Sequence, residues 1–284
     1  MKAVILAGGR GSRLRPLTDR CPKPMLPLID RPILAHLLNL LKRHQITEVI
    51  LSVQYLAGQI QDYFGDGRDF GMSIHYAREE RPLGTAGGVK NAQPFLDDET
   101  FLVISGDAVT DIDLSRAGQF HRESDALITL VLAEVDDPRQ YGVVLTDQSG
   151  RIRRYQEKPS AEPPISNNVN TGIYIMEPDV LDMMTRFGAY DFSYDIFPSL
   201  LARNAPLFGH FAQGYWRDMG TWQDYRAART DALAGRVKLA DWALANYARL
   251  YLDKESFDGC RVAHHHTNIG VSIPDRLGRM ASPE

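Results

Sequence analysis

The residues best suited to chemistry lie near the start of the chain, in Leu6–Leu28, LAGGRGSRLRPLTDRCPKPMLPL. Gly8, Gly9 and Gly11 follow the apolar run Ala3–Leu6, which reads as a buried parallel strand. Backbone without Cβ atoms can turn its N–H groups onto a phosphate, with Leu6 and Ala7 leading into the cradle. Arg10, Arg13, Arg15 and Lys23 add positive charge, and only some of them need enter a site. Pro16, Pro22, Pro24 and Pro27 stiffen the chain around Lys23. A glycine cradle with a fixed lysine and an arginine suits a polyphosphate. The dinucleotide fingerprint fails, because Leu14 stands where its third glycine belongs, and no lysine follows a glycine as in a Walker A loop. The plainer reading is a glycine-rich turn carrying solvated arginines.

The joint pattern GGxGxRLxPLTxxxPKPMxPL decides against that plainer reading. It resembles the signature of the sugar-1-phosphate nucleotidylyltransferases, and within them the mannose-1-phosphate guanylyltransferases. The resemblance runs from Met1 to about Leu239. It implies joining of a nucleoside triphosphate to a sugar-1-phosphate with release of pyrophosphate, GTP and mannose-1-phosphate being the implied pair. Other bases and sugars of the same superfamily, a non-catalytic nucleotide-sugar-binding regulatory subunit and a nicotinamide oxidoreductase are the alternatives.

Several further segments take their meaning from this resemblance. Asp107, in Ser105-Gly106-Asp107, follows an apolar strand, where ligands of open α/β sheets bind, although for such a residue alone a turn cap is the commoner reading. Asp218, in Trp216-Arg217-Asp218, could be an N-cap. The resemblance implies that both carboxylates hold Mg²⁺, which takes carboxylate and phosphate oxygens. It places Gly84 and Thr85, in PLGTAGG, beside the base and ribose, and Gln54 after a strand could bond the base edge. It places Gly142, Glu157, Lys158, Asn170 and Thr171, in the order YG, EKP and NTG, at the sugar phosphate. Lys23 then stabilises the reacting phosphoryl group, and Arg13 holds the leaving pyrophosphate.

Composition sets bounds on these readings. The chain has 284 residues, 44% of them apolar, enough for a core. A net charge of −4 gives no reason to expect a nucleic-acid partner, so phosphate-binding charge must be local. Cys21 and Cys260 are far apart and suggest neither a disulfide framework nor a metal knuckle. No run approaches the ~18 apolar residues of a membrane helix. A cytoplasmic protein with no membrane partner is expected, with room for a homo-oligomer. His264, His265 and His266 point in different directions on any regular backbone and are read as a solvated tail.

The elements that must position these residues alternate. Helices are expected at Pro32–His44, at Ala57–Phe64 and after the loop Arg81–Gly88, between strands at Glu48–Val53, Ile74–Tyr76 and Phe101–Ser105. That alternation predicts a Rossmann-like α/β fold: a mixed, mainly parallel sheet flanked by helices, of the nucleotide-diphospho-sugar transferase type. Strands at Ala126–Val135, Tyr141–Leu145, Ile152–Lys158 and Ile173–Met176 form a second half with no linker composition. A helix begins at Pro178, Pro198 interrupts another over Ser193–Arg203, and Trp216–Trp222 is a loop before a helix ending near Leu233. Residues 1–234 are read as the catalytic domain. Residues 235–284 are read as a tail with a helix at Leu239–Leu252, any left-handed β-helix being absent or vestigial.

Overall fold

The computed structural model describes residues 1–159, 163–185 and 188–239. The expected tail helix and the three histidines lie outside the described residues, apart from Leu239 itself. Strand β1 (Ala3–Leu6) leads into the glycine loop, and two short strands, β2 (Pro27–Leu28) and β3 (Arg31–Pro32), form a small ribbon. Then follow α1 (Ile33–Arg43), β4 (Glu48–Val53), α2 (Ala57–Phe64), β5 (Ser73–Arg78), α3 (Gly84–Ala92), β6 (Phe101–Ser105), β7 (Ala108–Thr110) and α4 (Leu114–Glu123). The second half holds β8 (Ile128–Glu134), β9 (Gly142–Thr146), β10 (Ile152–Glu157), β11 (Asn168–Met176), α5 (Phe197–Ala202), β12 (Leu207–Phe211), β13 (Trp216–Asp218) and α6 (Trp222–Leu233).

Nine strands form one mixed sheet in the order β10-β9-β11-β6-β1-β4-β5, with β8 on β11 and β12 on β8. Strands β6, β1, β4 and β5 run parallel, so the loops after Leu6, Val53, Arg78 and Ser105 leave from the same edge. Buried apolar side chains cover both faces: Ile5, Leu51 and Ile104 pack with α1, and Val4, Ile50 and Val103 with α3. This two-sided burial explains why these strands read as continuous apolar runs. The expected mixed, mainly parallel sheet flanked by helices is what the chain forms.

Four details differ from the sequence reading. The segment 81–88 is not all loop, because α3 begins at Gly84. Pro32 precedes α1 instead of opening it. The segment beginning at Pro178 is a 3₁₀ turn, Pro178–Met183. The interruption at Pro198 is a π-type turn, Phe192–Ile196, running into α5, with the proline in the first turn of α5 where its missing N–H is tolerated. Helix α4 and strands β7 and β12 went unread. In β12 Gly209 obscures the pattern; its hydrogen faces Leu132 so closely that a side chain would not fit.

His36 closes the ribbon onto α1. Its buried ring has Nε2 2.8 Å from Leu28 O, while Nδ1 has no partner among the described residues. Burial lowers its pKa below the ordinary value, with the Leu28 bond and Asp30 opposing. The unfolded chain therefore binds more protons as pH falls through about 6.5, so the stability from neutral His36 is complete above that pH and lost as pH falls through the folded value. His36→Gln, which keeps a donor for Leu28 O and does not titrate, should flatten this acid loss in urea midpoints measured between about pH 7.5 and 5.

Candidate active site

The glycine loop is built by local geometry. Gly11 sits at φ 62°, and a Cβ there would lie 3.0 Å from Thr18 Cγ2 and 3.1 Å from Lys23 Cβ, so both the turn and the close approach call for glycine. Thr18 Oγ1 donates to Gly11 O at 2.9 Å. Gly9 has nothing within 4 Å of its Cβ position and faces open space. Among the described residues no backbone hydrogen bond uses the amides of Gly8, Gly9 or Gly11, whereas the Ala7 amide donates to Ser52 O. The cradle's donors are thus available to a ligand. Of the arginines, Arg10 lies over the Tyr55 ring, 5.7 Å from its centre, and Arg15 pairs with Asp19 at 3.2 Å. Arg13 is the one that turns toward the carboxylates described next.

Lys23 occupies a short turn, Lys23–Met25, between Pro22 and Pro24, and is buried. Its Nζ lies 2.5 Å from Asp107 Oδ2 and 3.6 Å from Asp218 Oδ1. The two carboxylates meet because β13 pairs antiparallel with β7, placing Asp218 opposite Ala108, the neighbour of Asp107. The stretch from Trp216 is therefore a strand where a loop was expected; its partner is remote in sequence, and three residues carry no visible alternation. A Cβ on Gly220 would lie 2.9 Å from Asp218 Oδ2 and 3.1 Å from Arg13 Nη2, which places Arg13 beside the same carboxylates. Burial works against charge on Lys23, but Asp107 and Asp218 outweigh it and raise its pKa. Burial and then the charge of Asp107 raise the pKa of Asp218.

Two carboxylates converging on one cation are a donor set for a hard divalent ion whose other ligands come from phosphates and water. Among the described residues no group of three or more acidic, histidine or cysteine side chains forms a closed metal site. The pair fits an ion that is held jointly with a phosphate ligand.

The segments expected beside the base join the two halves of the molecule. Ala86 and Gly87 donate their amides to Tyr190 O, and Gly84, at φ 75°, lies against the same carbonyl. Thr85 Oγ1 donates to Asp191 Oδ2 at 2.9 Å and accepts from Phe192 N, so its hydroxyl is engaged inside the protein. Gln54 is half-buried beside Gly8. The sequence reading missed Glu79, which continues β5 along β4. It accepts from Ser52 Oγ at 2.8 Å and from Leu83 N at 3.1 Å, and it faces Gly8. Its position just past a strand end was the one available signal.

On the other side, Asn170-Thr171-Gly172 is a register break in β11, with Gly172 at φ 76° against Ser105. Asn170 Nδ2 donates to Tyr174 Oη at 2.9 Å and its Oδ1 accepts from Gly172 N. Thr171 Oγ1 donates to Val131 O, which commits this buried hydroxyl to the fold. Lys158 is exposed, at φ 42°, a conformation costing a non-glycine residue about 1–2 kcal/mol, and its Nζ lies 3.4 Å from Glu157 Oε1. Trp216 Nε1 donates to Thr171 O at 2.9 Å and its ring meets Tyr141 edge-on. The strand of Asp218 thus abuts the YG and NTG segments.

A family model for nucleotidyl transferases matches residues 2–235. The chain belongs to that family. It is 37% identical to a UTP–glucose-1-phosphate uridylyltransferase of Synechocystis sp. over 100% of this chain and 75% of that protein. It is 40% identical to a mannose-1-phosphate guanylyltransferase of Mycobacterium tuberculosis over 82% of this chain, and 37% identical to a Xenopus laevis mannose-1-phosphate guanyltransferase, beta-B, over 79%. It spans 65% and 62% of those two proteins. Among solved structures, a putative glucose-1-phosphate thymidylyltransferase from Bacillus anthracis aligns with a TM-score of 0.74 at 28% identity, over 87% of this chain and 99% of that one. HddC from Yersinia pseudotuberculosis, complexed with GMP-PN, aligns with a TM-score of 0.70 at 28% identity, over 81% of this chain and 99% of that one. No helix among the described residues is long and apolar enough to cross a membrane.

For a nucleotidyl transferase the contact of Gly220 with Arg13 and Asp218 is open to test. The atoms nearest a Cβ at Gly220 are two side-chain ends, so Gly220→Ala should displace them and lower turnover about 10- to 100-fold, as for a misplacement near 1 Å. The thermal midpoint should move by no more than about 4 °C, measured by scanning calorimetry.

Proposed function

We propose that the chain is a cytoplasmic sugar-1-phosphate nucleotidylyltransferase, with residues 1–234 as its catalytic unit and GTP and mannose-1-phosphate as its substrates. The observation that carries the chemistry is the meeting of Lys23, Asp107 and Asp218 beside Arg13, at the mouth of a loop with free amide donors. An oxygen of the sugar phosphate attacks the α-phosphorus of the triphosphate in line, and pyrophosphate leaves opposite. The phosphate is already ionised at neutral pH, so no general base is required. The reactants are both anions, and the protein's work is to hold them together and neutralise them. Arg13 and the Gly8–Gly11 amides hold the leaving pyrophosphate, and Lys23 stabilises the reacting phosphoryl group. Asp107 and Asp218 would hold Mg²⁺, which when bound supplies further neutralisation of phosphate charge. Glu157, Lys158 and the segment Asn170–Gly172 face the sugar phosphate.

Glu79 supports guanine. An ionised carboxylate only accepts hydrogen bonds, and two of its four lone-pair sites are taken by Ser52 and Leu83. The rest suit two adjacent N–H donors, as on guanine N1 and N2. Uracil offers one N–H flanked by two carbonyl oxygens, which a carboxylate repels. The guanylyltransferase relatives and the GMP-PN complex agree with this reading. A second reading, UTP with glucose-1-phosphate, is favoured by the whole-chain match to the Synechocystis uridylyltransferase.

Pyrophosphate release with Mg²⁺, crossing four nucleoside triphosphates with mannose-, glucose- and N-acetylated sugar-1-phosphates, separates these readings. GTP with mannose-1-phosphate is the pair expected to turn over; UTP with glucose-1-phosphate would reverse the specificity and keep the reaction. Binding of nucleotide-sugar without turnover anywhere in the grid would mark a regulatory protein instead. In the active pair, Lys23→Ala should lower kcat by about 10²–10³, the scale for one preorganised stabiliser, and near-normal turnover would contradict its role.

A further inference from the structure

Side chains two apart on a strand share a face, so Tyr155 and Glu157 stand side by side on β10. Tyr155 Oη donates to Glu157 Oε2 at 2.7 Å. The same oxygen lies 2.7 Å from Ser193 Oγ and 3.4 Å from Asn170 Nδ2. The ring packs against Phe197, with centres 5.3 Å apart, and Phe197 stacks on Phe192. Burial, followed by the influence of Tyr174 and Glu157, pushes the Tyr155 hydroxyl well above the usual phenol range, so it remains a donor at any working pH. Gly142 stands opposite Glu157 on β9, and a Cβ there would overlap the Tyr155 hydroxyl and lie 2.9 Å from Glu157 Oε2. Glycine at 142 is therefore the space in which the tyrosine–glutamate pair fits.

Ser193 carries this arrangement further. It lies in the π-type turn Phe192–Ile196, a form frequent at functional sites. Its amide donates to Asp191 Oδ1 at 2.8 Å, and Asp191 Oδ2 accepts from Thr85 at the start of α3. One hydrogen-bonded chain thus runs from α3, beside the glycine loop, to the carboxylate of Glu157.

We propose that Tyr155 is a positioning residue for the sugar-1-phosphate: its hydroxyl fixes the Glu157 carboxylate toward the sugar's hydroxyls, and Ser193 ties that orientation to α3. The inference rests on the function proposed above. With Oε2 held by Tyr155 and Oε1 facing Lys158 Nζ, each carboxylate oxygen keeps acceptor capacity, which suits a pair of neighbouring hydroxyls. Tyr155 does not touch the reacting phosphates; it acts through Glu157.

The test is steady-state kinetics of Tyr155→Phe, which removes one oxygen and leaves the ring on Phe197. KM for the sugar-1-phosphate should rise about tenfold, the worth of a hydrogen bond to a charged group. KM for the triphosphate and kcat at saturating sugar phosphate should stay within about twofold. The variant should also discriminate less well against sugar-1-phosphates deoxygenated at single positions, a loss that general loosening of the fold would not produce. Ser193→Ala should move the sugar KM the same way by about threefold. An unchanged sugar KM in Tyr155→Phe, or a parallel rise in both KM values, would overturn the inference. A wild-type protein that turns over no sugar-1-phosphate would overturn the function on which it rests, and the inference with it.

Discussion

The structure turns on a lysine held between two carboxylates. Lys23 is buried, and a buried ammonium is tolerated only when paired. Its partners come from two remote places: Asp107 from the end of a central strand, and Asp218 from a three-residue strand that exists only because β7 is there to receive it. The surrounding sequence serves that meeting. Prolines on either side fix where Lys23 leaves the backbone, Gly11 lets it pass close by, and Tyr225 and Trp222 of α6 bond Pro27 O and Arg15 O. Helix α6 thereby braces the loop that carries the lysine.

The second half of the sheet is joined to the first by polar links as well as by packing. Strand β11 pairs with β6 through residues 173–176, and with β8 along most of its length. Its break at Asn170–Gly172 separates Val169, which pairs with Val143 of β9, from residues 173–176, which pair with β6. Thr171 O receives the Trp216 indole, and Tyr190 O receives the first amides of α3. The bonds across the seam lie close to the residues proposed to meet substrate, so the two substrate regions share one rigid frame.

What the sequence made legible was local or periodic. The glycine–proline–lysine loop could be read because its residues are neighbours, and the parallel strands because both faces of the sheet are covered. Asp107 could be placed at a strand end, but its pairing with Asp218 could not be read from spacing, since the ladder joining them is non-local. Glu79 was passed over because its setting is made by Ser52, Leu83 and Gly8, each from a different segment. Thr85 and Thr171 look alike as motif hydroxyls, yet both are occupied inside the fold. The pattern marked the type of chemistry without separating groups that touch a ligand from groups that hold the frame. His121 makes the same point in α4: a polar residue on the buried face is satisfied by Thr129 at 2.8 Å and Glu177 at 2.9 Å, and only the folded sheet supplies those partners.

The ladder between β7 and β13 has a consequence for how the protein is made. Ribosomes deliver a chain from its amino end, and contacts of high sequence separation must wait for their later partner. The loop with Lys23 and the strand before Asp107 emerge early, and the parallel strands that flank them can begin to pair. Strand β13 and helix α6 emerge last among the described elements, after the entire second half. A nascent chain stopped short of Trp216 therefore holds the glycine loop and one carboxylate, with neither the second carboxylate nor the brace behind the loop. The charged centre is thus completed only by the last of the described elements, and an incomplete copy lacks the centre proposed to engage nucleotide.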